Sequence, residues 1–284
     1  MVRGPTLKKL KHVIWRLFGF LISHAPERLR VLMKQTPLVV DMDYPGIKLV
    51  MTSETDYGER RLSCQKEPET IKWIEQSMKP GDVLMDIGAN VGAYSLVTAK
   101  SHQQRVRVYA FEPAAPNYFD LCHNIALNGF GDCICPLPIA LSDETKIGVF
   151  NYSSLRPGDA LHSYGNSVDF EGKDFVPAFR QQILSYRLDD LIREFHLPGP
   201  THIKLDVDGS ELKVLYGADQ TLSQVRSLIM ELADGDTETA QIMAYLSAHG
   251  LTYRSRHRSS PGADDRFSKV YNYVFERTVK PASP

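Results

Sequence analysis

The chain has 284 residues, 43% of them hydrophobic and 24% charged, with a formal net charge of −1. That composition suits a globular protein with a real core, sized for one large domain plus extensions. It excludes a global electrostatic field that would recruit nucleic acid or an acidic substrate, and with no apolar run as long as a bilayer requires and no signal-peptide pattern, a cytoplasmic protein is expected.

Charge is concentrated at the start. Residues 1–34 carry eight Lys and Arg against Glu27 alone, a net +7 that leaves −8 for the remainder. Within this segment, residues 13–22 are apolar apart from Arg16 and include Trp15, Phe18 and Phe20. As a helix it has the composition of one lying in a membrane interface, peripheral to an inner leaflet. A helix docked on its own domain or on a second subunit fits the same residues, so a homo-oligomer stays open.

Next come two short strands, Pro37–Asp41 and Ile47–Thr52, joined by the turn sequence Asp-Tyr-Pro-Gly. A helix over Glu69–Lys79 stops at Pro80-Gly81. From Asp82 onward strands and helices alternate, the sign of a parallel sheet covered on both faces. The spacing predicts strands at Val83–Ile87, Val106–Phe111, Ile134–Ile139, His202–Asp206 and Ser227–Glu231, and helices near Gly92–Lys100, Pro116–Leu127, Ser210–Gln220 and Thr237–His249. Tyr118, Leu121, Cys122 and Ile125 give the second of these helices one buried face. A last pair, Leu251–Arg254 and Tyr271–Glu276, is placed to close the sheet as a hairpin.

The chemistry begins at the first of these sheet strands. Asp86-Ile87-Gly88-Ala89-Asn90-Val91-Gly92 ends a strand, turns on glycine and opens a helix. Gly88 lets the backbone turn sharply and approach a ligand, and Gly92 permits close packing of helix on strand. The pattern D-x-G-x-N-x-G is not the G-x-G-x-x-G of a nicotinamide loop, which holds a pyrophosphate at a helix N-terminus. An acid closing the strand suits a ligand with cationic ammonium and sulfonium groups. The next strand ends in Glu112-Pro113, 24 residues beyond Gly88, where a carboxylate accepts both hydroxyls of a ribose.

Cys133-Ile-Cys135 in an apolar run is expected to put both thiols on one face of a strand. With four cysteines in all and no second pair, buried reduced thiols are expected and no metal centre. Residues 143–181 exceed what a crossover needs, and Asn151, Tyr152, Arg156, His162, Tyr164 and Asn166 are groups that could grip a sugar-like acceptor. An acceptor-binding lid is the preferred reading and a dimerisation hairpin the next.

Taken together, D-I-G-A-N-V-G-A-Y-S, then A-F-E-P with Asn117-Tyr118, then Ile203-Lys204-Leu205-Asp206-Val207-Asp208-Gly209-Ser210-Glu211 with Leu215, Gly217 and Ala218 resemble the FkbM family of methyltransferases that use S-adenosylmethionine (AdoMet). The resemblance runs from Glu67 to Glu231. Where the family reads D-V-E-G-A-E, this chain has Asp208 and Ser210.

The resemblance implies a Rossmann-like α/β fold with a mostly parallel sheet. Residues 1–36 would be a basic amphipathic segment, 37–80 strands and a helix on the core, and 81–284 the methyltransferase domain with the 143–181 insertion. It implies a cofactor site in which Asp86 and the turn of Gly88, Ala89, Asn90 and Gly92 hold the methionine part. Glu112 with Pro113 would hold the ribose, and Ala140, Leu141 and Ser142 with Asp143 would lie along the adenine. Asp206 would face cofactor and acceptor. The implied reaction is methylation of a hydroxyl on a sugar, lipid or secondary metabolite, with Asp208 first among the bases, ahead of Asp206, Glu211 and Glu231. An inactive membrane-associated scaffold of the same fold, a nicotinamide-dependent oxidoreductase, and Mg²⁺ recruitment by Asp206 and Asp208 are the alternatives.

Overall fold

The computed structural model describes residues 24–29, 31, 37–167, 173–258 and 269–278. The chain divides into two compact units, Met1–Val39 and Val40–Pro284. In the first, a short helical turn at 27–29 is described, while the apolar 13–22 segment lies outside the described residues. Among the described residues no helix is long and apolar enough to cross a membrane.

Strand β1 (Leu38–Asp41) crosses the boundary between the units and β2 (Lys48–Met51) follows it. Met42 N donates to Ile47 O across the intervening turn, as the Asp-Tyr-Pro-Gly sequence implies. Three short helical pieces follow: α1 (Glu54–Gly58), a 3₁₀ turn (Arg60–Leu62) and α2 (Ser63–Lys66). The sequence patterning does not announce them. Helix α3 (Pro68–Ser77) then starts on proline, whose missing N–H costs nothing in a first turn.

The core is a seven-stranded sheet. In chain order its members are β3 (Val83–Ile87), β4 (Arg107–Phe111), β5 (Ile134–Leu137), β10 (His202–Leu205), β11 (Ser227–Ala233), β12 (Leu251–Arg258) and β13 (Val270–Arg277). In space the order is β12-β13-β11-β10-β3-β4-β5. Strands β11, β10, β3, β4 and β5 run parallel, and β13 is antiparallel to both β11 and β12. The expected mostly parallel α/β sheet, closed by a late hairpin, is therefore the observed one.

Helices α3, α4 (Ala93–Ser101) and α5 (Ala115–Asn128) bury Trp73, Leu96 and Leu121 on one face. Helices α6 (Leu188–Phe195), α7 (Glu211–Gly217) and α8 (Thr237–Ala248) bury Leu188, Leu215 and Ile242 on the other. Cys133 packs in the first of these layers and Cys135 in the second. The expectation that they share a face is corrected: the strand begins at Ile134, so its alternation does not reach back to Cys133.

The chain winds outward from β3 through β4 to β5, then returns to the other side of β3 for β10 and β11. Strand β3 is thus the switch point, and the crevice opens at its carboxyl end. The register pairs Ile87 with Phe111 and with Leu205, so the residues that follow these three strands meet at one rim.

The long connection after β5 is folded, not loose. Pro136 and Pro138 flank Leu137, and the chain leaves the main sheet after Leu137 instead of continuing to Ile139. Strands β6 (Ala140–Leu141), β7 (Lys146–Tyr152), β8 (Ser163–Tyr164) and β9 (Phe179–Tyr186) form a second sheet in the order β6-β9-β7-β8. Its core contains Phe150, Tyr152 and Ile183 with Ala114 and Ala140. The Tyr152 hydroxyl donates to Gln181 Oε1 at 2.6 Å and accepts from Ala115 N at 3.0 Å, which ties this sheet to the start of α5.

Candidate functional site

The turn after β3 is built by its own side chains. Gly88 has φ +81°, and a Cβ there would stand 1.8 Å from the carbonyl oxygen of Asp206. Only glycine lets β3 and β10 close up at this point. Gly92 has φ +90°, but the side chain that excludes a Cβ there is Leu121 of α5, at 2.5 Å. Its role is helix-on-helix packing, which corrects the helix-on-strand expectation.

Beside the turn lies a cavity of about 1090 Å³. Gly88, Asn90, Glu112, Pro113, Ala140, Asp206, Asp208 and Glu231 line it, so eight of the site residues read from the sequence share one cavity. Asp86, Ala89, Gly92 and Ser142 do not line it. Asp86 is fully buried beneath the turn, where Ser95 Oγ donates to its Oδ2 at 2.6 Å. Ser142 is also buried, its hydroxyl donating to Asp143 at 3.0 Å.

Glu112 is buried at the end of β4, yet it reaches the cavity. Ala114 N donates to its Oε1 and Asn90 N to its Oε2, each at 2.8 Å. Burial outweighs these bonds and pushes its carboxyl up to about 7.

Asp206 follows β10. Lys204, two residues earlier and on the same face, sends its ammonium to 3.2 Å from Asp206 Oδ2 and 3.8 Å from Asp86 Oδ1. The same ammonium lies 5.0 Å from the centre of the Tyr94 ring. Burial opposes ionisation of Asp206, but Lys204, then Lys66 and Arg60, hold its carboxyl below the usual value. Asp208 follows in left-handed backbone, φ +56°. Burial, and then the neighbouring Asp206, raise its carboxyl to about 6. Glu211 is tucked behind, its Oε1 accepting from Gly209 N at 3.2 Å; burial raises it to about 7. It braces the 206–210 turn and does not line the cavity.

The roof comes from the insertion. Gly158 N donates to Asn117 Oδ1 at 2.9 Å, and Asp159 O accepts from both Asn117 Nδ2 and Asn90 Nδ2. Arg60 Nε donates to Gly158 O at 2.9 Å, and Leu161 N donates to Asp208 Oδ2 at 2.7 Å. Of the polar residues expected to grip an acceptor, His162 and Tyr164 reach the cavity, while Asn151, Tyr152, Arg156 and Asn166 do not line it. The Nδ1 atom of His162 accepts from Ser153 N at 3.2 Å, and burial lowers its pKa to about 4, so the ring is neutral at pH 7.

The sequence reading gave no role to Lys204, Tyr94, Asn117, Arg60, Lys66 or Glu67. Lys204 carried a signal, since a lysine in the middle of a fully buried strand has to be paired. Arg60, Lys66 and Glu67 carried none, because they reach the cavity only through the fold of the 54–67 segment.

The chain matches the methyltransferase FkbM domain over residues 86–254, more than half its length. It is 30% identical over 208 residues to the methyltransferase sdnD of Sordaria araneosa, covering 66% of this chain and 79% of the relative. It is 26% identical over 194 residues to the 31-O-demethyl-FK506 methyltransferase FkbM of Streptomyces tacrolimicus, covering 62% and 74%. To the hexuronic acid methyltransferase AglP of Haloferax volcanii it is 28% identical over 201 residues, covering 71% and 76%. A switch-point cavity walled by strand-end acids is what a family match over this same stretch of chain leads one to look for, and on that match the protein belongs to the FkbM family of methyltransferases.

Proposed function

We propose that the chain transfers a methyl group from AdoMet to a hydroxyl oxygen of a sugar, lipid or secondary-metabolite acceptor, with Asp208 as the base. The observation that carries this is the row of acids at the strand ends: Glu112 just past β4, with Asp206 and Asp208 just past β10, all lining one cavity. Acids suit a cationic cofactor, and a carboxylate at the Glu112 position suits ribose hydroxyls. Gly88 itself lines the cavity, and its missing Cβ is what lets the Asp206 backbone lie against the turn. At about 1090 Å³ the cavity exceeds the ~300–1,000 Å³ of a typical small-molecule site, which leaves room for an acceptor beside the cofactor.

When bound, AdoMet supplies a methyl group already activated on a sulfonium. The protein then has to orient the acceptor, exclude water and take up one proton. Asp208 is suited to the last task, because a carboxyl raised to about 6 is ionised at pH 7 and more basic than an ordinary aspartate. The insertion roof, hydrogen-bonded to Asn90, Asn117 and Asp208, is the part of the chain placed to shield the site from water. The names of two relatives support an oxygenated acceptor, one acting on an O-demethyl compound and one on a hexuronic acid.

The test is a methyl-transfer screen with labelled AdoMet against glycans, lipids and small alcohols, with the product's methylated atom determined. Calorimetry should show binding of AdoMet and S-adenosylhomocysteine and none of NAD(H). The reverse pattern would sink the reading.

A further inference from the structure

The amino-acid end of AdoMet carries a carboxylate, and the acid-rich wall that welcomes the sulfonium and ammonium repels it. A carboxylate taken out of water needs a cation or several N–H donors. In many nucleotide sites the glycine turn offers such donors. Here it has spent them on the protein itself. Gly88 N and Ala89 N both donate to Phe111 O, and Asn90 N donates to Glu112. Val91 N donates to Asn90 Oδ1, and Gly92 N to Ala89 O. Five consecutive N–H groups are committed. Two more nearby, Asp206 N and Val207 N, go to Ile87 O and to Glu211.

Among the described residues, the only Lys or Arg side chains lining the cavity are Arg60 and Lys66. Both lie near enough to the rim to help lower the carboxyl pKa of Asp206 and to offset part of the rise at Asp208. Arg60 spends Nε and Nη2 on Gly158 O, which leaves Nη1 outside those bonds. Lys66 makes no ion pair within 4 Å among the described residues. It closes α2, and Glu67 beside it is buried and fixed by Thr70 and Asn272.

Resting on the AdoMet reading, we infer that Lys66, with Arg60 in the same cavity lining, is the site that binds the cofactor's α-carboxylate. The pair lies outside the 86–254 stretch that matches the family. Ordinary carboxylate recognition of this kind is charge-assisted and fixes one end of the ligand, so the sulfonium end is aimed by a segment outside the sheet.

The test is calorimetry on the full chain with AdoMet and with decarboxylated AdoMet, which keeps the sulfonium, the amine and the nucleoside. Lys66→Gln should weaken AdoMet about 10- to 100-fold, the range for a hydrogen bond to a charged group, and leave the decarboxylated analogue within about twofold. Lys66→Arg should retain most of the AdoMet affinity. Equal weakening of both ligands, or of neither, overturns the inference. Unchanged AdoMet affinity with a raised KM for acceptor would also overturn it, assigning the pair to an anionic acceptor. If the wild-type chain binds neither ligand, the cofactor reading itself fails and the inference falls with it. Because Lys66 is half-exposed, loss of folding is not expected, and circular dichroism of the variant checks it.

Discussion

Lys204 Nζ lies 3.2 Å from Asp206 Oδ2, so the carboxylate at the cavity rim is fixed by a cation two residues back, on the strand that leads to it. The same ammonium answers Asp86, whose Oδ1 is buried without a hydrogen bond. Burial alone would favour neutral lysine, but Asp206 and Asp86 raise the ammonium's pKa well above its ordinary value. One buried cation therefore favours the charged form of two acids: it holds Asp206, at the cavity rim, below its usual value, whereas at Asp86, behind the turn, burial still wins and the carboxyl is raised.

Lys204→Met should accordingly cost about 3–5 kcal/mol of stability, because it strands two carboxylates near the core. Denaturant melts give the measurement. Adding Asp86→Asn to that variant should recover part of the loss, since one stranded charge is gone. A single variant as stable as wild type would show that the pair holds no buried charge in place.

The raised acids make a pH prediction whose sign can be worked out. Glu211 is shifted up to about 7, so between its unfolded value and pH 7 the native state holds the extra proton. Stability from that proton is fully present below about 4.5 and is lost as pH rises through about 7. Buried His162 and His202, with lowered pKa values, act the opposite way as pH falls below the usual histidine range. The readout is therefore the difference between Glu211→Gln and wild type. The variant should gain stability relative to wild type as pH rises from about 5 to about 8 in thermal melts. A difference that stays flat across this range would mean that Glu211 is not held in a raised state.

The parallel sheet was legible because its strands are short apolar runs bounded by turn residues, and because Asp86, Gly88 and Glu112 mark the ends of two of them. The insertion was legible only as excess length. Its sheet pairs Ile147 with Leu184, both exposed, so its strands lack a clean alternation of buried and exposed positions. Helix α5 shows a second limit. Asn117, Asp120 and Asn124 are buried on it beside Leu121 and Ile125, although periodicity assigns polar residues to solvent. Their partners are distant in sequence: Asn124 Oδ1 accepts from Val50 N at 2.8 Å, and Asn117 holds the roof. Polar side chains that satisfy another segment's backbone cannot be told from surface residues until that segment is in place.

Asn117 is accordingly the residue that latches the roof. Asn117→Ala removes two hydrogen bonds to Gly158 and Asp159 and should loosen the loop that carries Arg156. Expected are faster cleavage within residues 153–161 by a broad-specificity protease such as proteinase K, since the Arg156–Pro157 bond resists trypsin, and a stability loss of about 1–3 kcal/mol. Cleavage at the wild-type rate would place the latch elsewhere, with Arg60 and Asn90 as the remaining contacts.

The last prediction concerns the proton. Asp208 Oδ2 is occupied by Leu161 N at 2.7 Å, so Oδ1 is the atom left to serve an acceptor hydroxyl. Asparagine is the informative replacement, because it tolerates the left-handed backbone at φ +56° and keeps an oxygen for Leu161. Alanine would mix strain and a lost roof contact into the result. Asp208→Asn should lower kcat by about 10²- to 10⁴-fold with AdoMet affinity nearly unchanged. In the wild type, kcat should rise with pH through about 6 as the carboxyl ionises, and that limb should vanish in the variant. Asp206→Asn should lower both turnover and AdoMet affinity, since Asp206 stands between Lys204 and the cavity. Full turnover by Asp208→Asn on the true acceptor would move the base to Glu231, the next acid lining the same cavity. His162 follows Glu231 only distantly, because its burial makes it a weak base. A product methylated on nitrogen or carbon would overturn the oxygen assignment whichever residue takes the proton.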